Sequence, residues 1–67
     1  MIMLYSVYTE DGEHADKVDS FNTMFDALAC YYECVNDGPV DGDRELEGIE
    51  LAIETDDSIE SIDYHEF

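Results

Sequence analysis

Positive charge is nearly missing from this chain: Lys17 and Arg44 are its only cations, set against 19 acids and a formal charge of −17. Repulsion on that scale works against a compact state, and two cations leave most carboxylates without a partner. Direct binding to nucleic acid or to an anionic membrane surface is excluded by simple repulsion. Cysteine is also scarce. Cys30 and Cys34 are too few for a secreted disulfide scaffold. The N-terminal MIMLYSVYTED lacks a basic n-region, and its apolar run is shorter than a signal core or a membrane span. The expected location is therefore the cytoplasm. There is one proline and no tryptophan, and no internal repeat or linker divides the chain.

What is present is enough to fold. Apolar residues make up 45% of the 67 positions, including five Tyr and three Phe, too rich a composition for a disordered acidic tail. The length fits one domain, residues 1–67, with a thin core and marginal stability.

Ile2 to Thr9, IMLYSVYT, is β-branched and aromatic and reads as a strand, central because both alternating faces carry large side chains. Asp11-Gly12 favours a hairpin turn, and HADKVDSF can return as a more polar strand with Val18 inward. Over SFNTMFDALACYYECVNDG, an arc of Phe21, Met24, Phe25, Leu28, Tyr31, Tyr32 and Val35 predicts an amphipathic helix. Asn22, Asp26, Cys30, Glu33 and Cys34 fall on its other side. Ser20 or Asn22 would cap the start, and Gly38-Pro39 would stop it.

DGPVDGDRELEG reads as a loop. Ile49, Leu51 and Ile53 then alternate with Glu50, Ala52 and Glu54, the pattern of a strand with one wet face. TDD makes a turn, and SIESIDYHEF reads as a last strand in preference to a short helix. The expected fold is α+β, in the order β-β-α-β-β: an antiparallel sheet of about four strands with one helix packed on it.

No motif supports catalysis. DGDRELEGIELA starts like a calcium loop but has Leu46 where the loop needs glycine and Ala52 where it needs glutamate. Cys30 and Cys34, four apart on a helix, do not match a zinc knuckle, and His14 and His65 would have to converge on them. A disulfide between the two would strain the helix. There is no phosphate loop or nucleophile elbow, and a domain this small can scarcely enclose a water-excluding pocket. No enzyme activity, metal or cofactor is expected. Tyr5, Tyr31 and Tyr32 fit the core or its rim; Tyr8 and Tyr64 lie near element ends and could be exposed.

The acids are uneven: seven precede residue 37, and twelve lie from there on. Alternate residues of a strand are about 6.6 Å apart, and each strand of duplex DNA carries one phosphate per about 3.4 Å. Exposed carboxylates at Asp43, Glu45 and Glu47, continued by Glu50 and Glu54, would thus imitate a stretch of phosphate backbone. The candidate partner-binding set is Asp41, Asp43, Glu45, Glu47, Glu50, Glu54, Asp56, Asp57 and Glu60. In size, acidity and compact α+β character, over its whole length, the chain resembles the small acidic DNA-mimic inhibitors that phages encode against host defence, of anti-CRISPR and anti-restriction type. That group shares no sequence motif, so the resemblance transfers no functional residue. It implies competition for a Lys/Arg groove that normally receives DNA, in the cytoplasm of the infected cell, with a CRISPR-Cas effector as the favoured partner. The alternatives are antagonism of a restriction enzyme or of a basic nucleoid or transcription protein, a generic acidic interaction module, and halophilic adaptation.

Overall fold

The computed structural model describes residues 3–67, with the backbone alone at Asp41. Strands β1 (Met3–Glu10) and β2 (Ala15–Phe21) are followed by helix α1 (Met24–Asp37). The short strands β3 (Val40–Asp41) and β4 (Arg44–Glu45) come next, then β5 (Gly48–Thr55) and β6 (Ile59–Glu66). The main sheet runs β2-β1-β5-β6 with every neighbouring pair antiparallel. This is the expected α+β arrangement with a small hairpin added. Ile2, read from sequence as the start of the first strand, lies outside the described residues.

The helix covers one face of the sheet. Tyr5, Val7 and Thr9 of β1 stand in register with Ile53, Leu51 and Ile49 of β5. Val7, Ile49 and Leu51 are fully buried beneath Ala27 and Tyr31 of α1. The strand alternation expected over Ile49–Glu54 is therefore present, with the aliphatic face turned to the helix.

The helix itself is rotated from the expected arc. Phe25 is 81% exposed and Tyr32 56%, whereas Cys30 and Cys34 are half-buried against the core. Small Ala27 and the two thiols let the helix lie close to the strands, which turns Phe25 and Tyr32 outward. Phe21 is not helical; it ends β2 and joins the core from there. The N-cap is Thr23, not Ser20 or Asn22: it is extended (φ −125°, ψ 148°), and its Oγ1 accepts from the Asp26 N–H at 3.3 Å. Ser20 is otherwise engaged, with its hydroxyl 2.8 Å from that of Ser6. Gly38 (φ 87°) stops the helix as expected, its N–H donating to the Val35 carbonyl.

Two further details depart from expectation. Val18 is 47% exposed, because a bulge opposite Val7 and Tyr8 leaves it as the extra residue of β2. The stretch read as a loop contains the β3–β4 hairpin around Gly42 (φ 62°), pinned by Leu46, which is 5% exposed and bonded through its N–H to the Pro39 carbonyl.

Candidate functional site

The face of the sheet away from the helix is built on small residues. Ser6 and Ala52 are opposite one another at its centre, and both are fully buried, as is Gly48 farther along β5. No second layer of secondary structure covers them. Tyr64 of β6 lies over Gly48, and Tyr8 and Glu54, two residues along their strands from Ser6 and Ala52, are bonded to each other on this face. Gly48 shows why its position needs glycine: a Cβ there would collide with the Tyr64 hydroxyl and ring edge and lie 2.6 Å from the His65 carbonyl. Without that Cβ, the Tyr64 ring lies across the strand.

Around these two tyrosines stand carboxylates. Strand register puts Glu50 between Tyr8 on β1 and Tyr64 on β6. Glu10 and Glu66 flank Gly48 from either side, which separates their backbones by roughly 10 Å at ordinary strand spacing. Glu50 and Glu54, four residues apart on β5, are separated by about 13 Å. The Tyr8 hydroxyl donates to Glu54 Oε1, and Lys17 Nζ lies 2.8 Å from Glu54 Oε2 and 5.9 Å from the Tyr8 ring centre.

At the end of β5 nearest Gly48, the surface is concave. One hollow of about 800 Å³ is lined by Asp11, Glu45, Leu46, Glu47, Tyr64, Glu66 and Phe67. A second, of about 340 Å³, shares Glu47 and Tyr64 with it and adds Glu10. The Glu47 N–H donates to the Glu10 carbonyl, and the Phe67 N–H to that of Glu47, so β1, the β4–β5 bend and the chain end are tied together there.

The electrostatics follow from this crowding. Partial burial, then the charge on Glu50, raises the Glu10 pKa above its ordinary value. Tyr64 is raised by partial burial and then by Glu10, Glu47 and Glu66. Tyr8 is pushed up to about 12, first by partial burial and then by its bond to Glu54. Glu54 is lowered, by Lys17 foremost and then by Tyr8. Both cations are used within the fold: Lys17 on Glu54, and Arg44 on Asp11 (3.1 Å) and Asp16 (2.7 Å). The Asp11 pKa falls to about 2, mainly because its carboxylate accepts the His14 and Glu13 N–H groups and then because of Arg44. Of the carboxylates among the described residues only those of Asp11, Asp16 and Glu54 are ion-paired.

The nine candidate acids separate in space. Glu45, Glu47, Glu50 and Glu54 lie along the open face and its concave end. Asp43 is at the exposed tip of the β3–β4 hairpin, and Asp41 is on β3. Asp56 and Asp57 form the exposed β5–β6 turn at the opposite end of β5. Glu60 pairs with Ile53 and so belongs to the helix side. One continuous strand row from Asp43 to Glu54 does not exist. Leu46 turns into the core between β4 and β5, which interrupts the alternation.

Sequence reading missed Glu10 and Glu66, together with the part played by Tyr8 and Tyr64. The signal available for them was the run of small residues Ser6, Gly48 and Ala52, which cannot fill space beneath a second layer and so leave room for large neighbours to lie flat. Tyr8 is not at an element end but inside β1. No group of three or more metal-ligating side chains with suitable placement occurs among the described residues, and no helix there is long and apolar enough to cross a membrane. Comparison with protein-family models, curated proteins and solved structures finds no match to this chain.

Proposed function

We propose that this chain is a DNA-mimicking inhibitor that docks its open, acidic sheet face on the DNA-binding surface of a host defence complex, with a CRISPR-Cas effector as the favoured target. The observation that carries the reading is the division of charge. Glu10, Glu47, Glu50 and Glu66 gather around Tyr64 on one face with no cation among them, while both cations are held in ion pairs elsewhere or at the margin. A negative surface of this kind meets a Lys/Arg groove with long-range steering and fast, salt-sensitive association. Tyr64, exposed among the acids, with Tyr8 half-buried beside it, supplies the rigid, amphipathic contact that interfaces favour. The action is competitive, takes place in the cytoplasm of the host cell, and calls for neither catalysis nor a cofactor.

Order of addition tests it. Purified CRISPR effector–guide complexes from the host bacterium are mixed with the chain before or after cognate duplex DNA, and DNA binding is read by gel shift. Adding the chain first should block DNA binding, and adding DNA first should protect it. Full DNA binding in both orders at excess chain would rule out the effector as target.

A further inference from the structure

Strand β6 is an edge of the sheet: among the described residues it pairs only with β5. It is eight residues long and exposed throughout, with Ile59 at 58%, Ile62 at 40% and Tyr64 at 41%. Edge strands are usually kept short or are blunted by lysine or proline, because unpaired N–H and C=O groups invite another strand. Here there is neither lysine nor proline, only three acids and a bulge at Ile62.

A second exposed surface adjoins this edge. Cys34 shares a hollow with Val18 of β2 and Val40 of β3, so that flank of the helix lies toward β2. Phe25 and Tyr32, at 81% and 56% exposure, are on the opposite flank, toward β6. The helix packs on β5, β1 and β2, which leaves a shelf beside it over β6.

We propose that β6 pairs antiparallel with β6 of a second copy of this chain, making one eight-stranded sheet. The acid spacing selects the register. The bulge leaves Ile59, Ser61, Tyr64 and Glu66 on the open face and Glu60, Asp63 and His65 on the helix side. Ile59 set against Glu66, Glu60 against His65 and Ser61 against Tyr64 matches faces in every pair. No carboxylate then opposes a carboxylate, and each Glu60 meets a His65, with Ile62 and Asp63 at the two-fold axis. A slip of one residue in one direction puts Glu60 opposite Glu66. A slip in the other puts Glu60 opposite Tyr64, which is on the wrong face. In the matched register both helices lie on the same face of the joined sheet, one on each side of the seam, and their Phe25 and Tyr32 flanks face each other over the shelf. The two open acidic faces continue side by side. This pairing does not depend on the inhibitory reading, since it needs no other partner.

Sedimentation of the pure 67-residue chain, with circular dichroism as the check on folding, tests the proposal. A dimer is expected that tightens with salt, by about tenfold between low salt and 0.5 M, as the −17 charges are screened. An extended basic segment of a foreign protein on the same edge would instead bind more weakly as salt rises. His65→Glu should weaken the dimer roughly tenfold by opposing acids at two sites, and Glu60→Lys added to it should restore the dimer. Phe25→Ser, far from the strand, should also weaken it. A chain monomeric in every salt, or a dimer indifferent to His65→Glu, would overturn the proposal.

Discussion

The two faces of the sheet are made by the same strands and stabilised in different ways. On the helix side, large aliphatic residues (Val7, Ile49, Leu51) are buried by a second layer. On the open side the buried residues are small (Ser6, Gly48, Ala52), and the layer above them consists of tyrosines and glutamates from adjacent strands. One face supplies the hydrophobic stabilisation. The other spends little apolar area and keeps a flat, charged surface in a fixed geometry. A domain so small can carry so much like charge because most of it is kept off the face that holds the fold together.

Substitutions should separate the faces by size of effect. Leu51→Ala removes a fully buried side chain at the centre of the helix side, and such changes cost about 2–5 kcal/mol. A single core below 70–80 residues rarely supplies more than about 3–5 kcal/mol. The variant should therefore be largely unfolded at 25 °C by circular dichroism. Gly48→Ala attacks the open side. It displaces the Tyr64 ring and presses on the His65 carbonyl, and overpacking of this kind costs about 1–3 kcal/mol. A lowered melting temperature with a folded far-ultraviolet spectrum is expected.

Acid titration sharpens the contrast further. Glu10 has a raised pKa, so its ionised form costs stability at neutral pH, and that cost disappears as pH falls through the raised value toward 4.5. Asp11 and Glu54 have lowered values; their contribution is complete above the ordinary 3.8 and 4.5 and is lost as pH falls below them, for Asp11 toward 2. Thermal melts should show stability rising as pH falls from neutral toward 4.5 and falling below about 4. Glu10→Gln should flatten the rise and leave the fall.

The smallest effect is at Tyr8. Its pKa of about 12, against an ordinary 10.0, means the neutral phenol is favoured in the folded chain. That stabilisation is complete below pH 10 and is lost as pH rises through 12. Tyr8→Phe should remove the component of a spectrophotometric tyrosine titration that ionises near pH 12, and should lessen the loss of stability over that range.

Much of the fold was legible because period and punctuation agree. Ile49, Leu51 and Ile53 alternate without interruption, and Gly38-Pro39 ends the helix where both residue types require. The rotation of the helix was not legible. Phe25 and Tyr32 are larger than Ala27 and Cys34 and continue the apolar arc of the sequence, yet closeness of approach to the sheet favours small side chains, and no hydropathy pattern records it. The site was half legible. Glu50 and Glu54 follow from strand alternation, whereas Glu10 and Glu66 join them only through pairing of β1 and β6 with β5. Asp43 and Glu60 looked equivalent to them in sequence, but the β3–β4 hairpin places Asp43 elsewhere, and the β5–β6 turn register sets Glu60 opposite Ile53 on the helix side.

The most direct measurement compares two triple charge reversals of equal net charge in their affinity for the target effector complex. One is Glu10→Lys, Glu50→Lys and Glu66→Lys, on the open face; the other is Asp26→Lys, Glu33→Lys and Asp37→Lys, exposed on the helix. The account predicts that the open-face variant, still folded, loses binding at least roughly a hundredfold more than the helix-side variant, since interface charges contribute well beyond net charge. Equal loss in both would mean that total charge alone drives association, and would contradict a docking surface on the open face.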